Sequence, residues 1–250
     1  MINAKRVAVV LPAYNAAETL ARCIQEIPEG VVDLRILVDD CSSDDTVDVA
    51  RALGIEQVLV QPENRGYGAN QKRCYRAALD AGADVVVMLH PDYQYAPSQL
   101  PALAWPIATG QYDLMLGSRV LGGGALQGGM PLWKFGVNRA LTATQNALLG
   151  KSLSETHTGY RAYSRRFLET LPWQDNADDF GFDAQILAQA VHFGFRIGEI
   201  SVPTRYAPDS SSIQLEPALR YGVACVETAL RCRLERLGLL RSKIFVAKVP

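Results

Sequence analysis

Net charge is almost absent from this chain: 25 Lys and Arg stand against 26 Asp and Glu, a formal minus one. No global basic field draws it to nucleic acid, so any anion site must be local. No apolar segment approaches the roughly 20 uninterrupted residues that a bilayer-spanning helix needs. The N-terminus enters directly into an apolar run, Arg6 to Leu11, without the stretch and small-residue cleavage site of a secretory signal. These absences predict a cytoplasmic chain, with any lipid contact peripheral and at the inner face of the membrane. Cysteine is sparse and oddly numbered. Cys23, Cys41, Cys74, Cys225 and Cys232 contain no CxxC pair, which argues against a zinc or redox centre and fits a reducing compartment.

What is present is an alternation of two periodicities. Val7 to Leu11 is a short apolar run closed by Pro12, and Leu20, Ile24 and Ile27 then recur at helical spacing. The pair repeats as Leu34 to Val38 followed by Thr46, Val49, Ala50 and Leu53, and as Gln57 to Val60 followed by Ala69 to Ala81. Val85 to Leu89 is a continuous apolar run of the kind found in a central parallel strand. Strand and helix in turn predict an α/β fold with a mostly parallel sheet covered on both faces and ligands at the carboxyl ends of its strands. Residues 117 to 129 are rich in glycine and predict a mobile loop over the site. Helical patterning returns from Lys134 to Leu149. After Pro217, Val223, Val226, Leu230, Leu234 and Leu237 accompany Arg220, Arg231, Arg233 and Arg236 in an amphipathic, locally basic helix. The expected division is a domain over 1–215 and a helical appendage over 216–250.

Polar residues gather where the strands end. Pro12, Ala13, Tyr14 and Asn15 follow the first, and Asp39, Asp40, Ser42, Asp44 and Thr46 the second. A carboxylate and an aromatic ring at neighbouring strand ends suit a base edge and its stacking face, while Asn15 and Ser42 to Asp45 read equally as helix caps. His90, Pro91, Asp92, Tyr93 and Gln94 follow the most apolar strand. There Asp92 and the amide oxygen of Gln94 offer hard ligands for magnesium or manganese beside a diphosphate, with His90 as a further ligand, a supporting donor or a space-filling ring. Gly66, Gly68 and Asn70 precede a helix and allow close approach of phosphate or ribose, or simply form a turn; they match neither the Walker nor the dinucleotide glycine pattern.

Val38-Asp39-Asp40, Ser42, Asp44 and Thr46, then His90-Pro91-Asp92-Tyr93-Gln94, Gly117-Ser118-Arg119 and Thr158-Gly159-Tyr160-Arg161 together resemble glycosyltransferase family two. Within it the chain looks like the branch of dolichyl-phosphate and polyprenyl-phosphate sugar synthases. The resemblance spans nearly all of residues 5 to 215 and implies the GT-A nucleotide-diphospho-sugar transferase fold, a UDP- or GDP-sugar donor, Mn2+ or Mg2+, and anomeric inversion. It assigns Pro12, Tyr14, Asp40 and Asn70 to the nucleotide, beside which Ala13, Asp39, Gly68 and Pro91 are further candidates for the nucleotide sugar, and it gives Asp92 and Gln94 to metal and diphosphate and Arg119 to phosphate charge. Two positions depart from the family pattern. His90 replaces the first aspartate of the Asp-x-Asp element, and Ala16 stands where a glutamate usually follows Pro-x-Tyr-Asn, with Glu18 two residues on.

The acceptor is left open between polyprenyl phosphate and a glycan hydroxyl. A hydroxyl needs a base, for which Asp178, Asp179 and Asp183 are candidates, although acids at a helix start also serve its dipole. A lipid phosphate needs cations, for which Lys134, Arg139, Arg161 and Arg205 are candidates, and leaves Asp183 a structural role. The basic C-terminal helix either rests on an anionic membrane or packs on the domain or a second copy. The alternatives to transfer are a nucleotide-sugar-binding protein with impaired turnover, motivated by His90 and Ala16, and a nucleotidyltransferase, which Pro12-Ala13-Tyr14-Asn15 in place of a glycine-rich phosphate loop disfavours.

Overall fold

A computed structural model describes residues 1–206 and 215–247, the side chains of 215–219 aside. In chain order the elements are β1 (Val7–Ala13), α1 (Ala17–Gln25), β2 (Leu34–Asp39), α2 (Thr46–Ala52), β3 (Gln57–Val60), α3 (Tyr67–Asp80), β4 (Val85–Met88), α4 (Leu100–Ala108), β5 (Leu114–Ser118), α5 (Gly124–Gln127), α6 (Leu132–Leu149), β6 (Arg161–Ser164), α7 (Arg165–Thr170), α8 (Gly181–His192), β7 (Ile197–Ser201) and α9 (Leu215–Arg236).

The strands form one seven-stranded sheet in the order β3-β2-β1-β4-β6-β5-β7. β1 pairs in parallel with β2 and β4, and β2 with β3, as three strand–helix units in succession require. The sheet is mixed because β6 runs antiparallel between β4 and β5. Its four residues carry no periodicity long enough to be read from sequence. Every residue of β1 is buried, with Val7, Val9 and Leu11 packed on one face and Ala8 and Val10 on the other. That two-sided burial explains the unbroken apolar runs.

β1 pairs with β4 only over Val7 to Val10 but with β2 as far as Ala13. The end of β1 therefore projects past β4 at the point where strand order reverses, opening the crevice in which α/β sheets bind ligands. Pro12 stands in this projecting part, where no β4 carbonyl requires its missing N–H.

One expectation is corrected. The glycine-rich stretch is a 3-10 turn, Leu121–Gly123, followed by α5, and it packs closely: a Cβ on Gly128 would lie 2.1 Å from the Thr204 carbonyl oxygen. Glycine is needed there for contact rather than for motion. The last helix begins at Leu215, before Pro217, and packs on α6 and α8 through buried Cys225, Thr228, Ala229 and Cys232. Arg233 and Arg236 donate to the Ala147 and Leu149 carbonyls at the end of α6, both at 3.1 Å, a use of cations that the helix C-terminus favours.

Candidate active site

At the ends of β1 and β2 the polar residues hold the loops together. Asp39 accepts from the backbone and hydroxyl of Ser42, and Asp40 accepts from Gln61 Nε2 at 2.7 Å and from the Arg65 and Gly66 amides at 2.9 Å. Asn70, also buried, donates through Nδ2 to the Val38 carbonyl at 3.0 Å and lies 3.4 Å from that of Ala13. These groups form the floor of the crevice, and Tyr14, 55 % exposed, offers the open ring beside it. The α1 amides of Ala16 and Ala17 bond to Thr46 Oγ1 and Asp44 Oδ2, so the loop after β2 caps the helix after β1.

The α3 N-terminus is not an open anion cradle. The Gly68 and Ala69 amides donate to the Asp178 carbonyl at 2.7 and 3.2 Å, and a Cβ on Gly68 would lie 2.5 Å from the Ala177 carbonyl oxygen. The glycine expected beside phosphate instead admits the backbone of 177–179. Lys72 reaches over to Asp178 Oδ1 at 2.7 Å, and the exposed Asp179 carboxylate caps the Gly181 amide at 2.8 Å. Asp179 is thus committed to the start of α8.

Past β4, Leu89 is buried and His90 stacks on Tyr67, with ring centroids 5.5 Å apart and Nε2 3.3 Å from the Tyr67 hydroxyl. Burial lowers the His90 pKa, so the ring is a neutral wall, and a Cβ on Gly159 would lie 2.7 Å from its Nε2. The half-buried Asp92 accepts from the Gln94 amide at 3.1 Å. Pro91 is buried beneath them. Tyr93 between them has φ 57°, a costly conformation for a ring-bearing residue, held by guanidinium groups on both sides: Arg22 4.1 Å and Arg205 4.6 Å from the ring centroid. Its hydroxyl bonds to Glu26, which is 3.9 Å from Arg205. Arg205, expected at the acceptor, here clamps the loop that carries Asp92 and Gln94.

Two buried ion pairs lie on the other side. Arg119 donates to Glu155 through its backbone amide and Nε, both at 2.8 Å, and through Nη2; it also reaches the Tyr206 hydroxyl at 3.1 Å and Gln94 Oε1 at 3.5 Å. Burial alone would raise the Glu155 pKa, but the Arg119 charge and its hydrogen bonds hold it below the ordinary glutamate range. Arg161, fully buried, donates to the Thr158 and Asp183 carbonyls and lies 3.6 Å from Asp183 Oδ1. It is a partner of Asp183 rather than a surface for an acceptor. Asp183 also accepts from Tyr67 at 2.7 Å and has Gln71 Nε2 at 3.4 Å. Lys134 and Arg139 lie on α6, the first 5.6 Å from the Trp133 ring centroid and the second bonded to the Ser154 carbonyl at 2.5 Å.

Residues 8–171 match the family described as glycosyl transferase family 2. This chain belongs to that family. It is 29% identical over 235 residues, covering 93% of this chain and 96% of its relative, to the dolichyl-phosphate hexose transferase of Haloferax volcanii. It is 30% identical to the undecaprenyl-phosphate mannosyltransferase of Micrococcus luteus, over 79% of this chain and 82% of that protein. It spans half the length of another Haloferax volcanii relative, the low-salt glycan biosynthesis hexosyltransferase, at 29% identity over 85% of this chain. Among solved structures, glucosyl-3-phosphoglycerate synthase of Mycobacterium tuberculosis with Mg2+ and UDP superposes with TM-score 0.69 at 25% identity, over 96% of this chain and 82% of that one. The mixed sheet described above is thus the GT-A fold.

As a family 2 glycosyltransferase the chain offers a divalent cation few protein ligands. Among the described residues no three of His, Cys, Asp and Glu converge on a metal position. Asp92 and the Gln94 oxygen, which also faces Arg119 Nη1 at 3.5 Å, are hard oxygen groups of the kind that magnesium takes together with a diphosphate and water. Glu155, Tyr67 and Tyr206 are not singled out by the sequence. Glu155 did carry a signal, being the first acid after Asp113.

Proposed function

We propose that this glycosyltransferase moves a hexose from a UDP- or GDP-sugar, with inversion, to an acceptor that brings its own phosphate, and that this acceptor is polyprenyl phosphate. The observation that carries the reading is the state of Asp183. Its two oxygens already face the Tyr67 hydroxyl, the Gln71 amide and the Arg161 guanidinium, so the carboxylate is ill placed to collect a proton from an attacking hydroxyl. A phosphate oxygen needs no base. It attacks the anomeric carbon, the new C–O bond forms as the bond to the nucleoside diphosphate breaks, and the electron pair leaves on the diphosphate. The names of the Haloferax and Micrococcus relatives support a lipid phosphate.

Asp92 and Gln94 would hold the divalent cation, whose chemistry is Lewis-acid stabilisation of the departing diphosphate. The chain's own contribution is position: the Arg22–Tyr93–Arg205 clamp fixes the loop carrying both residues, and Tyr14 stands beside the crevice for the base.

We place the membrane contact on α6 rather than α9. Leu132, Trp133 and Val137 are 77, 52 and 51 % exposed on α6, and Lys134 and Arg139 stand on the same helix, which contains no acid. Apolar bulk, tryptophan and unopposed positive charge suit an anionic lipid surface. Among the described residues no helix is long and apolar enough to cross a membrane.

The test is sugar transfer from radiolabelled donors, with magnesium or manganese, to polyprenyl phosphate and to the matching polyprenol, with Asp92→Asn as control. Transfer to the phosphate alone, lost in the variant, is expected. Transfer to the polyprenol or to a glycan hydroxyl would overturn the acceptor reading, and nucleotide binding without any transfer would favour the binding-protein alternative.

A further inference from the structure

The outer face of α9 is claimed by nothing above. Cys225, Thr228, Ala229 and Cys232 turn inward to α6 and α8, and the opposite side carries an apolar row. Val223, Leu230 and Leu237 are 68, 44 and 62 % exposed and stand seven residues apart, two helical turns, so they share one line along the helix. Leu237 belongs to the last turn, since its amide still donates to the Arg233 carbonyl at 3.1 Å. The half-buried Val226 and Leu234 border the row, and exposed Leu239 and Leu240 follow just past its end. An exposed apolar patch of this extent marks a contact surface.

The charges beside the row decide which partner it fits. An anionic lipid surface suits cations with no acid among them. Here Arg231 is bonded to Glu227 at 2.5 Å, and Arg233 and Arg236 donate to the Ala147 and Leu149 carbonyls of α6, so these three cations are engaged within the chain. A second copy of the helix offers an equal apolar row with opposite charges in the right order. Val223 and Leu237 lie seven residues to either side of Leu230. In an antiparallel pair about a two-fold axis at Leu230, each Val223 therefore meets the other copy's Leu237, and Leu230 meets its own equivalent. Glu227 and Arg231 stand on one flank of the row, before and after Leu230. The axis brings each Glu227 within two residues, about 3 Å along the helix, of the other copy's Arg231. A parallel pair would set Glu227 against Glu227 and Arg231 against Arg231, and like charges oppose it.

We propose that this face is a homodimer interface, in which α9 packs antiparallel on α9 of a second copy through Val223, Leu230 and Leu237, with Glu227 and Arg231 paired across the axis. The inference is independent of the transferase reading. One helical row is a small interface beside the ~800 Å² per partner of a standard one, so the dimer is weak and reversible, with a Kd on the order of micromolar.

The test is sedimentation equilibrium of the full chain from about 1 μM to about 1 mM. Wild type is expected to pass from monomer to dimer over this range. Leu230→Glu sets two carboxylates on the axis and should weaken the dimer about tenfold or more. Glu227→Arg and Arg231→Glu each set like charges across the pair and should weaken it several-fold. The double exchange restores opposite charges and should return the dimer close to wild type, because the two positions are coupled. All these side chains are exposed, so circular dichroism and the thermal midpoint should stay near wild type. If Leu230→Glu does not fold, Val223→Lys at the far end of the row decides by the same measurement. A wild type monomeric throughout, a dimer indifferent to Leu230→Glu, or a double exchange as weak as the single ones would overturn the inference. A monomeric wild type whose vesicle binding is lost in Leu230→Glu would also overturn it and give the row to lipid.

Discussion

Replacing Glu155 by Gln removes the charge that balances a buried guanidinium. The Glu155 carboxylate accepts from the Arg119 amide, Nε and Nη2 and from Asn138 Nδ2 at 2.8 Å, and its side chain has no exposed surface. In the variant Arg119 keeps the Tyr206 hydroxyl and the His157 carbonyl, both neutral, at 3.1 Å. Breaking one partner of such a pair costs about 3–5 kcal/mol, since the remaining charge stays desolvated. At about 2–4 °C per kcal/mol for a chain of this size, the thermal midpoint should fall by roughly 6 to 20 °C. Equilibrium urea unfolding gives the same quantity independently. The double variant Arg119→Met with Glu155→Leu should lose less than Glu155→Gln, because no uncompensated charge is left. A loss below about 1 kcal/mol in Glu155→Gln would refute the reasoning and would return Arg119 to the role its place after Gly117-Ser118 suggested, a cation available to phosphate.

Gly68→Ala drives a methyl into the carbonyls of 177–179 and should cost about 1–3 kcal/mol or more by urea denaturation; an unaffected midpoint would refute the close contact between α3 and this backbone. The His157 pKa, about 4 folded against an ordinary 6.5, has a definite sign: above pH 6.5 both states are neutral, and as pH falls towards 4 the unfolded chain takes up a proton that the folded chain refuses. Wild type should therefore lose up to roughly 3 kcal/mol of stability over that window relative to His157→Phe, and parallel stability–pH curves would refute the shift. The chain should co-sediment with anionic vesicles at low salt, and Leu132→Ser with Trp133→Ser should abolish this while leaving transfer to a short, water-soluble polyprenyl phosphate; binding retained by the variant would move the contact away from α6.

The parts of the fold legible in sequence are those whose burial is two-sided and whose repeat is long. β1 to β4 and the helices between them follow directly from apolar runs and helical spacing. The second half was less legible because its strands are short and one reverses direction: β6 has four residues and is recognisable only by its partners. In the site, sequence identified the residue types but not their allegiances. Asp40, Gly68 and Arg161 stand at the crevice, yet each is engaged by protein groups that come from distant segments, Arg65 and Gly66, residues 177–179, and Asp183. A motif records which residues meet, and it does not record which of their atoms are already taken.

That distinction bears on the chemistry. Asp40, Asp183 and Glu155 are carboxylates with internal donors, and Arg119 and Arg161 are cations with internal acids. A site whose charges are already paired has little use for a base that must open to take a proton, because freeing Asp183 would strand the buried Arg161 beside it. For the proposed transfer it is instead preorganised: its dipoles and ions are fixed before substrate arrives and need not rearrange as charge shifts from acceptor phosphate to leaving diphosphate. Such a site suits two phosphates exchanging one sugar, a reaction in which negative charge moves and no proton does.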